Sequence, residues 1–348
     1  MKAVVLAAGF GKRLRPLTVN RPKHVLPLAG KPLIARTVEA LVDSGVDEVG
    51  VLVGYRSELV AEALREIGQN RVKYIVQKNI AGTGAAVMEC RSFLAGQESF
   101  LVVYGDLTLD ADALKEFLSF FHGAGWDGAV AAVEVGETGA YGVVEARNSL
   151  LVRIREKEDF MGPVNAGVYV LGSYVFEALE RVGPSPRGEV ELTDALNLLA
   201  SSGRRIGVKL FEAGWWYDIG RPSDYLAANH FYLRRIYGEG VFLEGGVEIG
   251  GGTSVRGPVY LGRNVKVGGS CVLEGPAMVC DNTTIMAGSH VRRSIILENC
   301  VVGPESRVVD SILCEGSAFP KGLEVASGKF PAYVSEPGLV AEDRLRVV

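Results

Sequence analysis

The sequence predicts an α/β protein in two parts: a mostly parallel sheet with helices on both faces, followed by a parallel β-helix. Two observations support this architecture. Short apolar runs alternate with amphipathic stretches in the first part, which is typical of parallel strands joined by helices. In the second part aliphatic residues recur at every sixth position, which is typical of a hexapeptide-repeat β-helix. We expect residues 1–237 to form the first domain, residues 241–330 the β-helix, and residues 331–348 a tail.

The composition is that of an ordinary globular protein. The chain has 348 residues, of which 48% are hydrophobic and 22% charged, and its net charge is -4. That length is sufficient for two cores. The apolar run from Ala3 to Ala8 is too short for a signal peptide, and no run approaches the ~18 residues of a membrane span, so we expect a cytoplasmic protein with no membrane partner. Five cysteines form no C-x-x-C pair, which favours core thiols over zinc ligands.

The elements of the first domain follow in order. The first strand covers the apolar run that ends at Ala8, and Pro32 suits the first turn of a helix that Gly45 ends. Strands and helices then alternate, with strands predicted at 48–53, 72–77 and 100–104 and helices at 57–67 and 83–94. Ligands of such sheets bind beyond the carboxyl ends of the strands. We therefore expect the residues that follow these strands to share one crevice.

A glycine turn from Gly9 to Gly11 follows the first strand and leads directly into basic residues. Eight lysines and arginines and no acids occur up to Arg36, although the chain carries negative net charge. This concentration indicates a local anionic ligand, and the turn suits the phosphates of a nucleotide. Two familiar phosphate loops do not fit. The dinucleotide pattern G-x-G-x-x-G has Leu14 in place of its third glycine, and the P-loop pattern has an arginine where Ser or Thr is required.

This stretch resembles the signature G-x-G-x-R-L-x-P-L-T followed by R-P-K of the sugar-1-phosphate nucleotidylyltransferases. The resemblance implies a Rossmann-like catalytic domain that joins a nucleoside triphosphate to a sugar 1-phosphate and releases pyrophosphate. It implies that Arg13 holds the β- and γ-phosphates and that Lys23 bridges the α-phosphate and the sugar phosphate. It also implies nucleotide contacts from the first strand and the turn, at Leu6, Ala8, Gly9, Gly11 and Lys12.

Two aspartates close apolar segments. Asp106 follows Gly105 at the end of FLVVYGD, and Asp218 stands among large apolar residues in WWYDIG. A lone Asp after a strand is more often a turn or helix cap, but an Asp among apolar residues is unfavourable unless it is paired or metal-bound. Two carboxylates beside a triphosphate suit Mg²⁺. In the family that these motifs resemble, the two positions hold the catalytic metal and the residue at Gly105 adjoins the nucleotide.

Gln77 and the segment from Gly82 to Ala86 form a second candidate for nucleotide contact. A side-chain amide offers both a donor and an acceptor to a base edge. The pattern Q-x-x-x-x-G-T-G-x-A resembles the uracil-reading segment of the uridylyltransferases that act on N-acetylglucosamine 1-phosphate. That resemblance implies base contacts from Gln77, Gly82 and Thr83. The alternative is a glycine-rich helix start capped by Thr83.

Polar residues also stand at predicted strand ends in the middle of the chain. The resemblance implies that Gly142, Glu156, Lys157 and Asn165 line the sugar pocket, although polar residues at such positions can equally be solvated. The acidic stretch 189–194 opens a helix with a cap and first-turn acids, and we assign it to structure.

The second domain is predicted from its period. The residues on the six-residue repeat are Ile249, Val255, Leu261, Val267, Leu273, Val279, Ile285, Val291 and Leu297. The closest resemblance is to archaeal enzymes that pair nucleotidylyl with acetyl transfer, and it implies left-handed coils. Those enzymes place a catalytic His before a Gly-Asp-Ser turn, which this chain does not match, and His290 is predicted to face outward on a corner. We expect the β-helix to serve assembly as a trimer or a higher multiple, and to serve stability more than chemistry.

The resemblance favours UTP, with dTTP open, and glucose 1-phosphate or N-acetylglucosamine 1-phosphate. The alternatives are a GTP-dependent mannose-1-phosphate guanylyltransferase, a bifunctional enzyme with acetyltransferase activity, and a catalytically silent regulatory subunit. An anionic phosphate oxygen would be the attacking group, so no Ser-His-Asp or Cys-His arrangement is expected. The basic residues surround one turn without interleaved aromatic residues, which argues against a nucleic-acid partner.

Overall fold

A computed structural model describes most of the chain and divides it into two compact units. The first unit comprises Met1–Phe10 and Leu33–Asp218, and the second comprises Gly11–Pro32 and Ile219–Val348. The predicted boundary near residue 237 therefore does not coincide with the limits of these units, and the predicted domains stay a prediction. The described residues are 1–67, 70–78, 81–135, 141–156, 161–186, 188–212 and 214–326, with the backbone of Tyr333–Val334 and Arg346–Val347.

The first unit is built on a nine-stranded sheet. Its strands are β1 (Lys2–Ala7), β2 (Glu48–Val53), β3 (Val72–Val76), β4 (Phe100–Tyr104), β5 (Gly128–Val133), β6 (Gly142–Arg147), β7 (Leu150–Glu156), β8 (Val164–Leu171) and β9 (Ile206–Phe211). Their order in the sheet is β3-β2-β1-β4-β8-β5-β9-β7-β6. β1, β2, β3 and β4 are parallel, and β8 runs antiparallel to both of its neighbours in the strand order, β4 and β5. The expected mostly parallel sheet is confirmed.

Helices cover the sheet between these strands. They are α1 (Leu33–Asp43), α2 (Ser57–Ala63), α3 (Thr83–Glu89), α4 (Arg91–Leu94), α5 (Ala111–Gly123), α6 (Tyr174–Arg181) and α7 (Leu192–Ser201). Consecutive residues Ala3, Val4 and Val5 of β1 are all fully buried. Because successive side chains point to opposite faces of a strand, both faces of the sheet are covered at β1.

The predicted helices and strands differ from the observed ones mainly at their ends. Strands 48–53 and 100–104 are confirmed to the residue. The predicted helix 57–67 is α-helical only to Ala63 and continues as a 3₁₀ turn, Arg65–Ile67. The predicted helix 83–94 is divided at Cys90, whose amide donates to the carbonyl of Val87 three residues earlier rather than four. Such tightened turns are common where helices end.

The second unit combines the segment Gly11–Pro32, helix α8 (Pro222–Tyr237) and the repeat region. The repeat forms three five-stranded parallel sheets, which is consistent with a left-handed β-helix. The first sheet contains Val241–Leu243, Val259–Leu261, Ala277–Val279, Ile295–Ile296 and Ile312–Leu313. The second contains Glu248–Ile249, Lys266–Val267, Thr284–Ile285, Val301–Val302 and Ala318–Phe319. The third contains Ser254–Arg256, Val272–Glu274, His290–Arg292, Arg307–Val309 and Glu324–Ala326.

Successive coils are eighteen residues apart in the first half of the repeat, and each of the last two coils is one residue shorter. Val259 pairs with Val241, eighteen residues earlier, whereas Ile312 pairs with Ile295, only seventeen residues earlier. As a result Ile296, and not Leu297, pairs with Val279 and takes its place in the interior stack. The prediction of Leu297 as an interior anchor is therefore wrong by one position. The side chain of Leu297 is buried nonetheless.

The predicted position of His290 can also be compared with the structure. His290 lies on a strand of the third sheet and not on a corner as predicted. Its Nε2 lies 3.0 Å from Oε2 of Glu274, and its Nδ1 lies 3.1 Å from a guanidinium nitrogen of Arg307.

All five cysteines are buried, as expected of core thiols. Among the described helices, none is both long enough and apolar enough to cross a bilayer.

A half-buried histidine of α8, His230, makes the stability of the second unit depend on pH. Burial lowers the pKa of His230 to about 4 from the usual 6.5, and its Nε2 donates to the carbonyl of Arg293 at 3.0 Å. As the pH falls, the histidine is protonated in the unfolded chain near pH 6.5 but in the folded chain only near pH 4. Protonation of the unfolded chain therefore lowers the free energy of unfolding between pH 6.5 and 4, whereas above pH 6.5 none of it is lost. We expect about 3 kcal/mol of unfolding free energy to be lost over that window.

Urea denaturation of the wild type and of His230→Gln at several pH values between 4 and 7 checks this expectation. The wild-type free energy of unfolding should fall more steeply with decreasing pH than that of the variant. Parallel pH profiles for the two proteins would contradict it.

Candidate active site

The two predicted metal-binding aspartates come together through a short antiparallel ribbon in the first unit. Tyr217–Asp218 pairs with Leu107–Thr108, and the register sets Asp218 opposite Leu107, the residue directly after Asp106. The amide of Tyr217 also donates to Oγ1 of Thr108 at 3.0 Å. Both aspartates are half-buried. Two aspartates that are remote in sequence are thus neighbours in the ribbon, since Asp218 lies opposite the residue that follows Asp106.

The strand that carries Asp218 is held in place by its tryptophan. Nε1 of Trp216 donates to the carbonyl of Ala166 at 2.8 Å, and its ring packs edge-on against Tyr141 with centroids 5.6 Å apart. Only 8% of Trp216 is exposed. Because the indole has both an apolar contact and a hydrogen bond, the backbone of the next two residues has little freedom.

The donor set of this ribbon fits a hard divalent cation that is shared with phosphate. Within the part of the chain that the structure describes, no group of three or more His, Cys, Asp or Glu side chains is arranged to hold a metal. Asp106 and Asp218 would offer such a cation two carboxylates and leave its other coordination positions to waters and phosphate. Mg²⁺ characteristically binds one or two carboxylates and completes its shell with waters and substrate phosphates.

Four of the predicted nucleotide residues, Leu6, Ala8, Gln77 and Gly105, lie at one edge of the sheet. The amide of Gly105 donates to the carbonyl of Leu6 at 3.0 Å, and the amide of Gln77 donates to the carbonyl of Val53 at 2.8 Å. A Cβ on Gly105 would lie 2.8 Å from the Leu6 carbonyl oxygen, so only glycine fits between β4 and β1. Ala8 follows β1 at the same edge, where a Cβ on Gly54 would lie 3.0 Å from its carbonyl oxygen. The carboxyl ends of the parallel strands meet there.

Thr83 does not cap its own helix, contrary to the alternative considered from the sequence. Gly82 occupies the N-cap position with φ of 100°, and no side chain caps α3. The Thr83 hydroxyl instead donates to Oε2 of Glu191 at 3.0 Å and accepts from the amide of Leu192 at 2.9 Å. It therefore caps α7. A Cβ on Gly82 would lie 2.5 Å from the carbonyl oxygen of Val190, so this glycine also serves close packing.

A buried hydroxyl network that the sequence did not predict lies next to these residues. Nδ2 of Asn165 donates to the hydroxyl of Tyr169 at 2.6 Å, which donates to the hydroxyl of Tyr104 at 3.1 Å. Burial raises the pKa of both phenols, with the charge of Glu156 adding to the shift, so both stay protonated. The only signal in the sequence is that two tyrosines stand in otherwise aliphatic strands. Oδ1 of Asn165 accepts from the amide of Gly167 at 3.1 Å, so this predicted sugar ligand is oriented from both ends of its amide.

The other predicted sugar residues lie on neighbouring strands. Gly142 of β6 pairs with Glu156 of β7, and a Cβ on Gly142 would lie 3.0 Å from Oε1 of Glu156. Glu156 is half-buried. Lys157 lies outside the described residues.

Lys12, Arg13 and Lys23 belong to the second unit and lie at or beside one glycine, Gly11. Gly11 adopts φ of 61°, and its carbonyl accepts from the hydroxyl of Thr18 at 2.8 Å. Gly9, the first glycine of the turn, belongs to the first unit and has open space around it. A Cβ on Gly11 would lie 3.2 Å from Cβ of Lys23, so Lys23 lies directly beside the turn.

Lys12 and Arg13 follow Gly11 in a 3₁₀ turn and are exposed. The guanidinium of Arg13 lies 3.5 Å from the position of a Cβ on Gly220. Cations that are exposed to solvent on a structured turn can be reached by a polyanion.

The comparisons with known proteins identify the family to which the chain is similar. Residues 2–235 match the family model described as nucleotidyl transferase. The chain is 34% identical over 330 residues to the bifunctional protein GlmU of Methanococcus vannielii, covering 92% of this chain and 75% of that relative. It is 31% identical over 339 residues to the low-salt glycan biosynthesis nucleotidyltransferase Agl11 of Haloferax volcanii, covering 91% and 93% of the two chains. A solved UDP-glucose pyrophosphorylase complexed with UDP-glucose superposes on 67% of this chain and 98% of its own, with a TM-score of 0.59 and 27% identity.

Proposed function

Because the chain belongs to the nucleotidyl transferase family and is a sugar-1-phosphate nucleotidylyltransferase, we propose that it joins UTP to glucose 1-phosphate or N-acetylglucosamine 1-phosphate. dTTP is the second nucleotide that we propose. The observation that supports the chemistry most directly is the ribbon that brings Asp106 and Asp218 together. A UDP-sugar in the similar pyrophosphorylase and the position of Gln77 at the sheet edge support the choice of uridine.

In the proposed reaction an oxygen of the sugar phosphate attacks the α-phosphorus of the nucleoside triphosphate. The bond between the α-phosphorus and the oxygen that bridges it to the β-phosphorus breaks, and pyrophosphate leaves with the electron pair. The attacking oxygen is anionic at neutral pH, so no side chain has to remove a proton from it. Catalysis then depends on in-line positioning and on neutralising the charge of the phosphates.

The side chains of this protein divide that work. Arg13 would hold the β- and γ-phosphates and the leaving pyrophosphate, and Lys23 would bridge the α-phosphate and the incoming phosphate. Asp106 and Asp218 would hold Mg²⁺, which neutralises charge on the phosphates when it is bound. The remaining contacts that we propose are to the nucleotide, from Leu6, Ala8, Gly9, Gly11, Lys12, Gln77, Gly82, Thr83 and Gly105, and to the sugar, from Gly142, Glu156, Lys157 and Asn165.

A homo-oligomer in the cytoplasm completes the proposal. Val241, Phe242 and Leu243 in the first coil of the β-helix are each at least 40% exposed. Adjacent exposed apolar side chains of this kind are typical of surfaces that associate. We propose assembly through the β-helix as a trimer or a multiple of it.

The proposal is tested by measuring pyrophosphate release across a grid of substrates. UTP, dTTP, GTP, ATP and CTP are each combined with glucose, N-acetylglucosamine, glucosamine and mannose 1-phosphates, with and without Mg²⁺. We expect activity only with Mg²⁺, and highest with UTP and one of the first two sugars. Reactions without the sugar phosphate control for simple hydrolysis.

Each alternative has its own outcome in this experiment. Highest activity with GTP and mannose 1-phosphate would replace the proposed substrates, and a blank grid with folded protein would favour a regulatory subunit. A parallel assay with acetyl-CoA and glucosamine 1-phosphate measures free thiol. Thiol release there would establish the bifunctional alternative.

A further inference from the structure

Arg21, the first residue of the R-P-K segment, is held by two carboxylates of the β-helix. Its two terminal nitrogens donate to the two carboxylate oxygens of Glu298 at 3.1 and 2.9 Å. The second nitrogen also lies 2.6 Å from Oε2 of Glu315. The side chain of Arg21 is only 11% exposed, and those of Glu298 and Glu315 are 25% and 35% exposed. All three residues belong to the second unit.

The two glutamates are stacked by the repeat itself. Ile295 pairs with Ile312, three residues before Glu298 and Glu315 respectively, so the two acids occupy equivalent places in successive coils. The amide of Gly316 donates to the carbonyl of Glu298 at 2.9 Å, which keeps the two corners in contact. Like charges in neighbouring positions of adjacent strands repel each other. The guanidinium between them compensates that repulsion.

The planar guanidinium is suited to this position. It presents a fork of donors that matches one carboxylate with two parallel bonds and still reaches another, which a lysine cannot reproduce. Burial alone lowers the pKa of Arg21, but hydrogen bonds and charge from Glu298 and Glu315 outweigh burial and raise it. Removal of either side of such a pair leaves an uncompensated charge in a partly buried place.

The link between Arg21 and Lys23 is short and stiff. Pro22, which is buried, has φ of -67° and opens the 3₁₀ turn Lys23–Val25. The ring of a proline prevents rotation about φ, so a displacement of Arg21 is transmitted to Lys23. On the far side, the backbone at 26–29 is anchored to α8 by a bond of 2.6 Å from Tyr225 to the carbonyl of Pro27 and by one of 2.9 Å from the amide of Ala29 to Asn229.

We propose that Arg21 is a positioning residue for the transfer reaction, and that its double ion pair with Glu298 and Glu315 makes the β-helix the support of Lys23. The inference rests on the proposed role of Lys23 at the phosphates. It gives the β-helix a part in the chemistry, in addition to the assembly and stability expected from its sequence. A lysine placed about 1 Å from its productive position is expected to lower the rate by ~10²-fold.

The test uses full-length variants in the pyrophosphate assay. Arg21→Ala and the double variant Glu298→Gln with Glu315→Gln should each lower kcat by ~10- to 100-fold, with a smaller effect on KM for the nucleotide. Arg21→Lys keeps the positive charge but lacks the planar, bidentate donors of the guanidinium. Its kcat should therefore lie between that of Arg21→Ala and that of the wild type. Arg293→Ala is the matched control, because Arg293 makes a bidentate pair with Asp310 inside the same β-helix. That control should keep the wild-type kcat.

A second measurement does not depend on activity. Hydrogen exchange monitored by mass spectrometry should show faster exchange in residues 11–32 of Arg21→Ala, while the sheet of the first unit keeps its protection. An unchanged kcat or unchanged exchange in 11–32 would overturn the positioning role. An equal loss of kcat in Arg293→Ala would overturn it too, since general destabilisation would then explain the effect. A wild type inactive across the whole grid would refute the proposed function itself, a result distinct from each of these.

Discussion

Replacing Asp106 or Asp218 with alanine is expected to lower the rate of pyrophosphate release by about 10³-fold or more. Each aspartate supplies one of the two protein carboxylates on the Leu107–Thr108 and Tyr217–Asp218 ribbon. A single remaining carboxylate would hold Mg²⁺ weakly, and charge on the reacting phosphates would no longer be neutralised. Neither substitution removes a large apolar side chain, so the fold should be retained.

The measurement is kcat over a Mg²⁺ titration, with circular dichroism to verify folding. Asp110→Ala is the matched control, because Asp110 follows the same ribbon strand and caps α5 by accepting from the amide of Asp112 at 2.8 Å. Loss of that cap should reduce stability by about 1 kcal/mol and leave kcat near the wild-type value. Turnover close to wild type in Asp106→Ala or Asp218→Ala would contradict the metal assignment.

Replacing Arg13 or Lys23 with alanine is expected to lower kcat by ~10²- to 10³-fold, as the loss of a charge-stabilising donor does in other enzymes. Arg13 is exposed and Lys23 is half-buried beside Gly11, so both side chains can be removed without opening the core. Because the proposed contacts strengthen as negative charge develops on the phosphates, kcat should fall more than KM rises. Arg13→Lys should recover only part of the loss if the guanidinium binds two phosphate oxygens.

Steady-state kinetics of these variants with the best substrate pair of the grid provide the measurement. Arg15→Ala removes an exposed charge from the same basic segment and serves as the control. We expect its effect on kcat to be less than ~10-fold, since screening weakens an exposed charge that makes no direct contact. If Arg15→Ala equals Arg13→Ala in effect, the phosphates respond to the overall charge of the segment and not to one positioned guanidinium.

Features that depend on near neighbours along the chain can be predicted from the amino-acid pattern alone. Strands 48–53 and 100–104 were predicted to the residue because apolar runs bounded by turn residues are local patterns. The β-helix followed from its period for the same reason. The single-residue shortening at Ile296 was missed, because Leu297 is equally aliphatic and only the pairing with Val279 decides between them. The motifs also indicated the family and the two aspartates.

Hydrogen bonds between groups that are distant in the sequence follow from the fold and could not be predicted from local patterns. One alternative from the sequence makes Thr83 a cap for its own helix, but its hydroxyl caps α7 because the chain brings Glu191 and Leu192 beside it. In the sequence Arg21 is one of several cations near the predicted phosphate loop. In the structure its guanidinium forms ion pairs with Glu298 and Glu315 of the β-helix. A side chain's partner depends on which charges and donors fold against it. That choice is made by packing across the whole chain, and no local spacing encodes it.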